Sequence, residues 1–187
     1  MTRITVAFSA LFLLTAPATT TLAQERSPAP EAEQLSSAEA AAARLLAFVS
    51  AIDEEAQITG NGALFTVEGL QLQLVFDTNA DRMRVMLPIT AASDLDAAQL
   101  ERLMQANFDS ALDARYAIAQ GAVWAVFLHP LSSLTTEDFA SGIGQSVNLV
   151  RTFGTTFHSW AGVFGGGDSA EENRKLVDDL IAKGRAI

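Results

Sequence analysis

Cysteine is absent from this chain of 187 residues. Disulfide stapling, thiol catalysis and thiolate metal ligation are therefore excluded. Basic side chains are also scarce, with 12 Lys and Arg against 22 Asp and Glu and a formal net charge of −10. No cluster of four or more Lys or Arg occurs anywhere. Such a chain repels nucleic-acid phosphates and anionic lipid head groups, so nucleic-acid binding is not expected. The same acidity keeps the chain in solution without any partner. Histidine appears twice, at His129 and His158. Two histidines without cysteine or a carboxylate motif make a poor zinc site.

Long apolar runs are missing too. The most apolar segment, Ile4 to Ala16, holds Phe8, Leu11, Phe12, Leu13 and Leu14 and follows the single charge of Arg3. It is shorter than the roughly 20 residues needed to span a bilayer. Pro17 breaks it, and small residues lead to Thr21-Leu22-Ala23. A basic start, a short apolar core and small residues at a cleavage point form a secretory leader over residues 1–23, cut after Ala23. The expected location is periplasmic or secreted, with no membrane span left after cutting. Losing Arg3 leaves 11 basic residues against 22 acidic, a net charge near −11. With no cysteine beside the cut, a lipid anchor is not expected. Residues 24–35, with Pro28, Pro30 and several Glu, read as a flexible linker. Some 150 residues remain, enough for one domain with its own core.

That domain reads as α+β. Ser36 to Glu54 is a helix, capped by Ser36 or Ser37 with Glu39 in its first turn, and faced by Leu45, Leu46, Val49 and Ile52. Gly60-Asn61-Gly62 marks a turn. Ala63 to Glu68 is a short strand. Leu70, Leu72, Leu74 and Phe76 face one way in the next one, Leu70 to Asp77, and Gln71, Gln73 and Asp77 the other. Arg82 to Ile89 repeats the alternation, with Met83, Val85, Leu87 and Ile89 inward and Arg82 and Arg84 outward. Short links make these three an antiparallel meander. Ser93 to Ala111 is a second helix, with Ser93 and Asp96 as its cap and Leu100, Leu103, Met104, Phe108 and Ala111 on one stripe. A hairpin follows, Ala114 to Ala119 and Ala122 to Leu128, turning at Gln120-Gly121. Its second strand is apolar on both faces, which predicts a central position or a face against another subunit. Thr135 to Trp160 is a long helix with Phe139, Ile143, Val147, Val150, Phe153, Phe157 and Trp160 on one stripe, interrupted by Gly142, Gly144 and Gly154. Gly165-Gly166-Gly167 is a hinge to a last helix, Ser169 to Arg185, whose stripe of Leu176, Leu180 and Ile181 suits either docking or a loose tail. The expected architecture is a five-stranded antiparallel sheet with helices packed on it, in the order α-β-β-β-α-β-β-α plus a C-terminal helix. The expected domain spans residues 36–162, followed by the hinge and helix of 163–187.

Chemistry-bearing motifs are thin. Asp77-x-Asn79-x-Asp81 begins like a calcium loop, but Arg82 stands where glycine is needed and Pro88 where glutamate is needed. No Gly-x-Ser-x-Gly elbow accompanies His129 or His158. Gly165-Gly166-Gly167 lacks the lysine and hydroxyl of a phosphate loop. Asp53-Glu54-Glu55 and Asp178-Asp179 read as solvated helix faces. No catalytic, cofactor or metal residue is assigned, and no enzyme activity or cofactor is expected. Trp124, Trp160 and Phe127 suit core packing or a binding surface. The doubly apolar strand favours a surface at Trp124, Val126 and Leu128, with Met104 and Phe108 of the second helix beside it.

The helix ending in Leu103-Met104-Gln105-Ala106-Asn107, the Tyr116-to-Leu128 hairpin, His129-Pro130-Leu131 and the helix from Thr135 carry a further likeness. Over residues 36–160 the element order resembles type III secretion chaperones of the Tir chaperone (CesT) type and the related YbjN-like domains. The resemblance implies a homodimer that holds a protein client in extended form on apolar patches, with no activity and no cofactor. The leader and the added C-terminal helix depart from that pattern. The function expected is an exported, chaperone-like protein-binding domain. A small-molecule or lipid carrier using the groove between sheet and long helix is the alternative, and a hydrolase has the least support.

Overall fold

A computed structural model describes residues 36–109, 111–154 and 170–185. The expected leader and linker, the Gly165-Gly166-Gly167 hinge, Phe157, His158 and Trp160 lie outside the described residues.

Helix α1 (Ser37–Ile52) starts at a reciprocal cap. The Glu39 amide donates to the Ser36 hydroxyl at 3.2 Å, and the Ser36 amide donates to the Glu39 carboxylate at 2.7 Å. Four strands follow, not three: β1 (Gln57–Thr59), β2 (Gly62–Val67), β3 (Leu70–Asp77) and β4 (Arg82–Ala91). The five-stranded expectation is corrected to six by β1. Its three residues are all exposed and sit at the sheet edge, so it has no buried partner to impose an alternation. After β4 comes a 3₁₀ turn (Ala92–Asp94), then α2 (Ala97–Asp109), β5 (Arg115–Ala119), β6 (Ala122–His129), α3 (Thr136–Arg151) and α4 (Ala170–Gly184).

The sheet is antiparallel throughout, in the order β1-β2-β3-β4-β6-β5. β6 lies between β4 and β5, which accounts for its two apolar faces. The inner face carries Phe65, Leu72, Leu74, Met83, Val85, Leu87, Val123 and Phe127, all buried in the single core. α1 and α3 cover that face, and α2 flanks the free edge of β5. There the Asn107 side chain donates to the Tyr116 carbonyl at 3.0 Å and accepts from the Tyr116 amide at 2.7 Å. One amide side chain thus occupies backbone groups that an incoming strand would use.

The cap of α2 differs from the Ser93 expectation. Ser93 sits in the 3₁₀ turn, which the Thr90 hydroxyl ties down by donating to Asp94 at 2.8 Å. Asp96 caps instead: it accepts from the Gln99 amide, and its own amide donates to the Gln99 side chain, both at 2.8 Å. The expected single stripe also divides. Leu103 and Ala106 are buried, whereas Met104 and Phe108 are 52% and 76% exposed. A helix at a sheet edge has room to bury only a narrow face.

α3 has the expected Thr135–Asp138 cap. It ends at Arg151, short of the expected Trp160. The Thr152 hydroxyl donates to the Asn148 carbonyl, and Gly154 takes φ +83°, a left-handed residue that stops a helix. Gly142 and Gly144 stand two residues apart and so face nearly opposite sides. A Cβ on Gly142 would overlap the Phe127 ring of β6, and one on Gly144 would press on Val177 and Asn173 of α4. α3 is therefore squeezed between the sheet and α4, and its buried residues go all the way round. α4 docks on α1 and α3 with Leu176 and Leu180 buried, so it is part of the core and not a loose tail. Gly184 lies against Phe48, whose ring meets Phe139 edge-on at 5.4 Å between centroids.

The acidic tripeptide and the calcium-like loop have structural uses. Asp53 accepts from the Thr66 amide at 2.7 Å, and Asp77 accepts from the amides of Asn79 and Ala80. Asp81, at φ +50°, receives both the hydroxyl and the amide of Ser132 at 2.7 Å. This joins the β3–β4 turn to the segment before α3. The Ser132 hydroxyl bond, then its amide bond, holds the Asp81 carboxyl below the usual carboxylate value. A depressed folded value means stability that is complete above the ordinary carboxylate range and is lost as pH falls through the lower value. Thermal melts between neutral and strongly acid pH should show this loss in the wild type. Asp81→Asn should remove that part of the acid limb, and an unchanged limb would show that the Ser132 latch does not form in solution.

Candidate protein-docking surface

Side chains alternate across strands, so the residues opposite the core share one outward sheet face. Register pairs place them in rows. Leu64 stands beside Gln73, Gln73 beside Met86, Met86 beside Val126, and Val126 beside Arg115. The next row runs Gly62, Val75, Arg84, Leu128, and on the other side Pro88 pairs with Trp124 and Trp124 with Ala117. Among the described residues no helix lies over this face, since α1 and α3 cover the inner one.

The outward residues are apolar without belonging to the core. Val126 is 9% exposed yet stands outside the core cluster, as do the half-buried Leu64, Met86 and Trp124. Val75 and Leu128 remain 39% and 52% exposed. The Trp124 indole N–H donates to the Ala119 carbonyl at 2.9 Å, which pins the ring to the β5–β6 hairpin. A pinned aromatic loses little entropy when a partner covers it.

Of the five residues expected from sequence, the fold brings Trp124, Val126 and Leu128 together at alternate positions on the outward side of β6. Met104 and Phe108 lie on α2, separated from them by β5. Leu64, Val75, Met86 and Arg115 are members of the face that the sequence reading did not assign, and Arg84, expected outward, joins them. Each looks unremarkable in its own strand, and only the strand order makes them neighbours.

Chemically active groups are engaged elsewhere. His129 is half-buried on the inner side, stacked on Phe127 with 6.0 Å between centroids. Its Nδ1 lies 2.7 Å from the Pro130 carbonyl, which can only accept, so Nδ1 carries the proton. Among the described residues no three His, Asp or Glu side chains converge as a metal site. Nor is any described helix long and apolar enough to cross a membrane. At Gly142 the space between α3 and the sheet is filled by the Phe127 ring, where the carrier reading requires a groove. A pocket between α1, β2 and α4, lined by residues such as Ile52, Thr66, Leu176 and Lys183, measures about 90 Å³. That is well below the roughly 300 Å³ at which small-molecule sites begin.

No family model and no curated protein matches this chain. Solved structures do resemble it. It is similar to SycH, a Yersinia pestis type III secretion chaperone solved in complex with a stable fragment of YscM2 (15% identity, 60% of this chain and 98% of that chain, TM-score 0.48). It is also similar to a chain of the HopA1–SchA chaperone–effector complex (13% identity, 57% of this chain and 91% of that chain, TM-score 0.43). A chain of the ExsC–ExsE complex is similar at 13% identity, over 59% of this chain and 82% of that chain, with a TM-score of 0.39. At these identities and scores the likeness is one of chain path alone, and partner chemistry has to come from the surface itself.

Proposed function

We propose that this chain is an exported, chaperone-like protein-binding domain without catalytic activity, acting in the periplasm or outside the cell. One observation carries the docking part of this reading. Six apolar residues from four strands, among them Trp124, Val126 and Leu128, stand together on a sheet face that no described helix covers. Contiguous apolar patches on a water-exposed sheet are characteristic of surfaces that receive another chain. A protein segment suits the site better than a small molecule, because the face is broad and shallow. The export part rests on the leader pattern of residues 1–23. A homodimer, implied by the resemblance noted above, belongs to the same proposal.

The test is a crosslinked pull-down of the tagged mature protein from its own cell envelope, read by mass spectrometry. Wild type is expected to retain a dominant protein partner. Trp124→Asp should lose it while circular dichroism and the melting transition stay close to wild type, because Trp124 lies outside the core. Undiminished capture by a folded Trp124→Asp variant would remove this face from consideration.

A further inference from the structure

The outward sheet face differs from the rest of the chain in its charge. The protein carries a net charge of −10. Yet the outward positions of the sheet hold three arginines, Arg82 and Arg84 on β4 and Arg115 on β5, and one carboxylate, Asp77. Asp77 stands opposite Arg82 at the rim and accepts hydrogen bonds from its own turn. Arg84 and Arg115 remain, both exposed, on either side of β6. Arg84 is the register partner of Leu128, and Arg115 that of Val126. The guanidinium of Arg84 makes no ion pair or hydrogen bond among the described residues, and that of Arg115 reaches only the Ala114 carbonyl. The two described ion pairs, Arg151–Glu68 and Arg185–Glu137, lie elsewhere.

From this charge segregation, and resting on the docking role proposed above, we infer that the occupant of the sheet face is an acidic, apolar segment of a partner protein. Its apolar side chains meet Val126, Leu128 and Trp124, and its carboxylates meet Arg84 and Arg115. The spacing follows from sheet geometry. Two strand separations and a two-residue offset put the two arginine Cα atoms ~12 Å apart, close to the ~13 Å between positions i and i+4 of an extended chain. The partner motif is thus two carboxylates four residues apart with an apolar residue midway, all on one side of an extended segment. Charge repulsion from the acidic remainder of the chain does not prevent this. Exposed charges beyond ~8 Å are largely screened at physiological salt, whereas a carboxylate on a guanidinium is in contact. The acidic background instead selects against unspecific anionic polymers, which offer no apolar groups to the face.

Fluorescence anisotropy on the full chain tests this. The probe is a short labelled peptide in which Glu, Leu and Glu occupy alternate positions between serines, with Gln and Lys peptides in place of Glu as comparisons. The Glu peptide should bind at least tenfold more tightly than either, with affinity falling as salt rises. Arg84→Glu and Arg115→Glu should each weaken it about tenfold, and Arg44→Glu, an exposed charge on α1, should not. Equal binding of the Gln and Glu peptides, still lost in Trp124→Asp, would overturn the charge selection and leave the docking surface standing. Binding of the Glu peptide that ignores both the arginine variants and Trp124→Asp would overturn both. If Arg84→Glu instead dissolved a dimer in sedimentation without altering peptide affinity, a second copy would be the occupant and the inference would fail.

Discussion

Phe139→Ala is expected to lower the free energy of unfolding by about 3–5 kcal/mol, the range for emptying a phenylalanine site in a close-packed core. Phe139 is fully buried at the start of α3, and its ring meets the edge of Phe48 on α1. Phe48 in turn packs against Gly184 of α4. The ring thus stands where three helices converge, and little can collapse into the space it leaves. For a domain of this size each kcal/mol moves the melting temperature by about 2–4 °C, so a fall of roughly 6–20 °C should appear in thermal melts. Urea unfolding gives the free energy directly. Phe108→Ala is the built-in comparison, because that ring is 76% exposed and should change stability by less than about 0.5 kcal/mol. A Phe139 effect as small as that of Phe108 would contradict the helix arrangement described above.

Gly142→Val should be nearly as damaging, for the opposite reason. Two effects compete. Replacing an interior helix glycine normally gains some fraction of ~1 kcal/mol. Here the added side chain would occupy the volume of the Phe127 ring, which is itself buried between β6 and α3. Overpacking of this kind costs about 1–3 kcal/mol and occasionally more, and the branched side chain has few rotamers with which to escape. The steric effect wins, with a net loss of about 2–3 kcal/mol expected in denaturant melts. A double-mutant cycle identifies the cause: in a Phe127→Leu background the penalty should shrink by 1 kcal/mol or more, within the range of coupling between contacting residues. A neutral or stabilising Gly142→Val would mean that α3 does not approach the sheet as closely as the structure shows.

Much of the fold could be read along the chain because it is written in short-range periods. Leu70 to Asp77 and Arg82 to Ile89 carry an apolar residue at every second position, and the inward residues named from that period are the buried ones, apart from the half-buried Leu70 and Ile89. The Ser36–Glu39 and Thr135–Asp138 caps are contacts between residues three apart, visible at any position where the right pair occurs. The extent of α4 was legible in the same way. What failed to show were features without a local period. β1 has no buried side, the Asp96–Gln99 cap competes with an equally plausible Ser93, and α3 stops at a glycine whose left-handed backbone no pattern announces.

The candidate surface divides along the same line. Sequence alone singled out the two-faced strand containing Trp124, Val126 and Leu128, because alternation fails there. It also carries the absence of cysteine, the acidic net charge and the apolar run behind Arg3 on which the export proposal rests, all of which are properties of composition or of contiguous residues. Only the tertiary structure decided that Met86, Val75 and Leu64 join those three, that Arg84 and Arg115 stand on either side of β6, and that Met104 and Phe108 remain in water. It alone decided as well that α4 is docked and that two α3 glycines are points of close approach. Each of these depends on which strands and helices lie side by side, a relation between residues dozens of positions apart that no local spacing encodes.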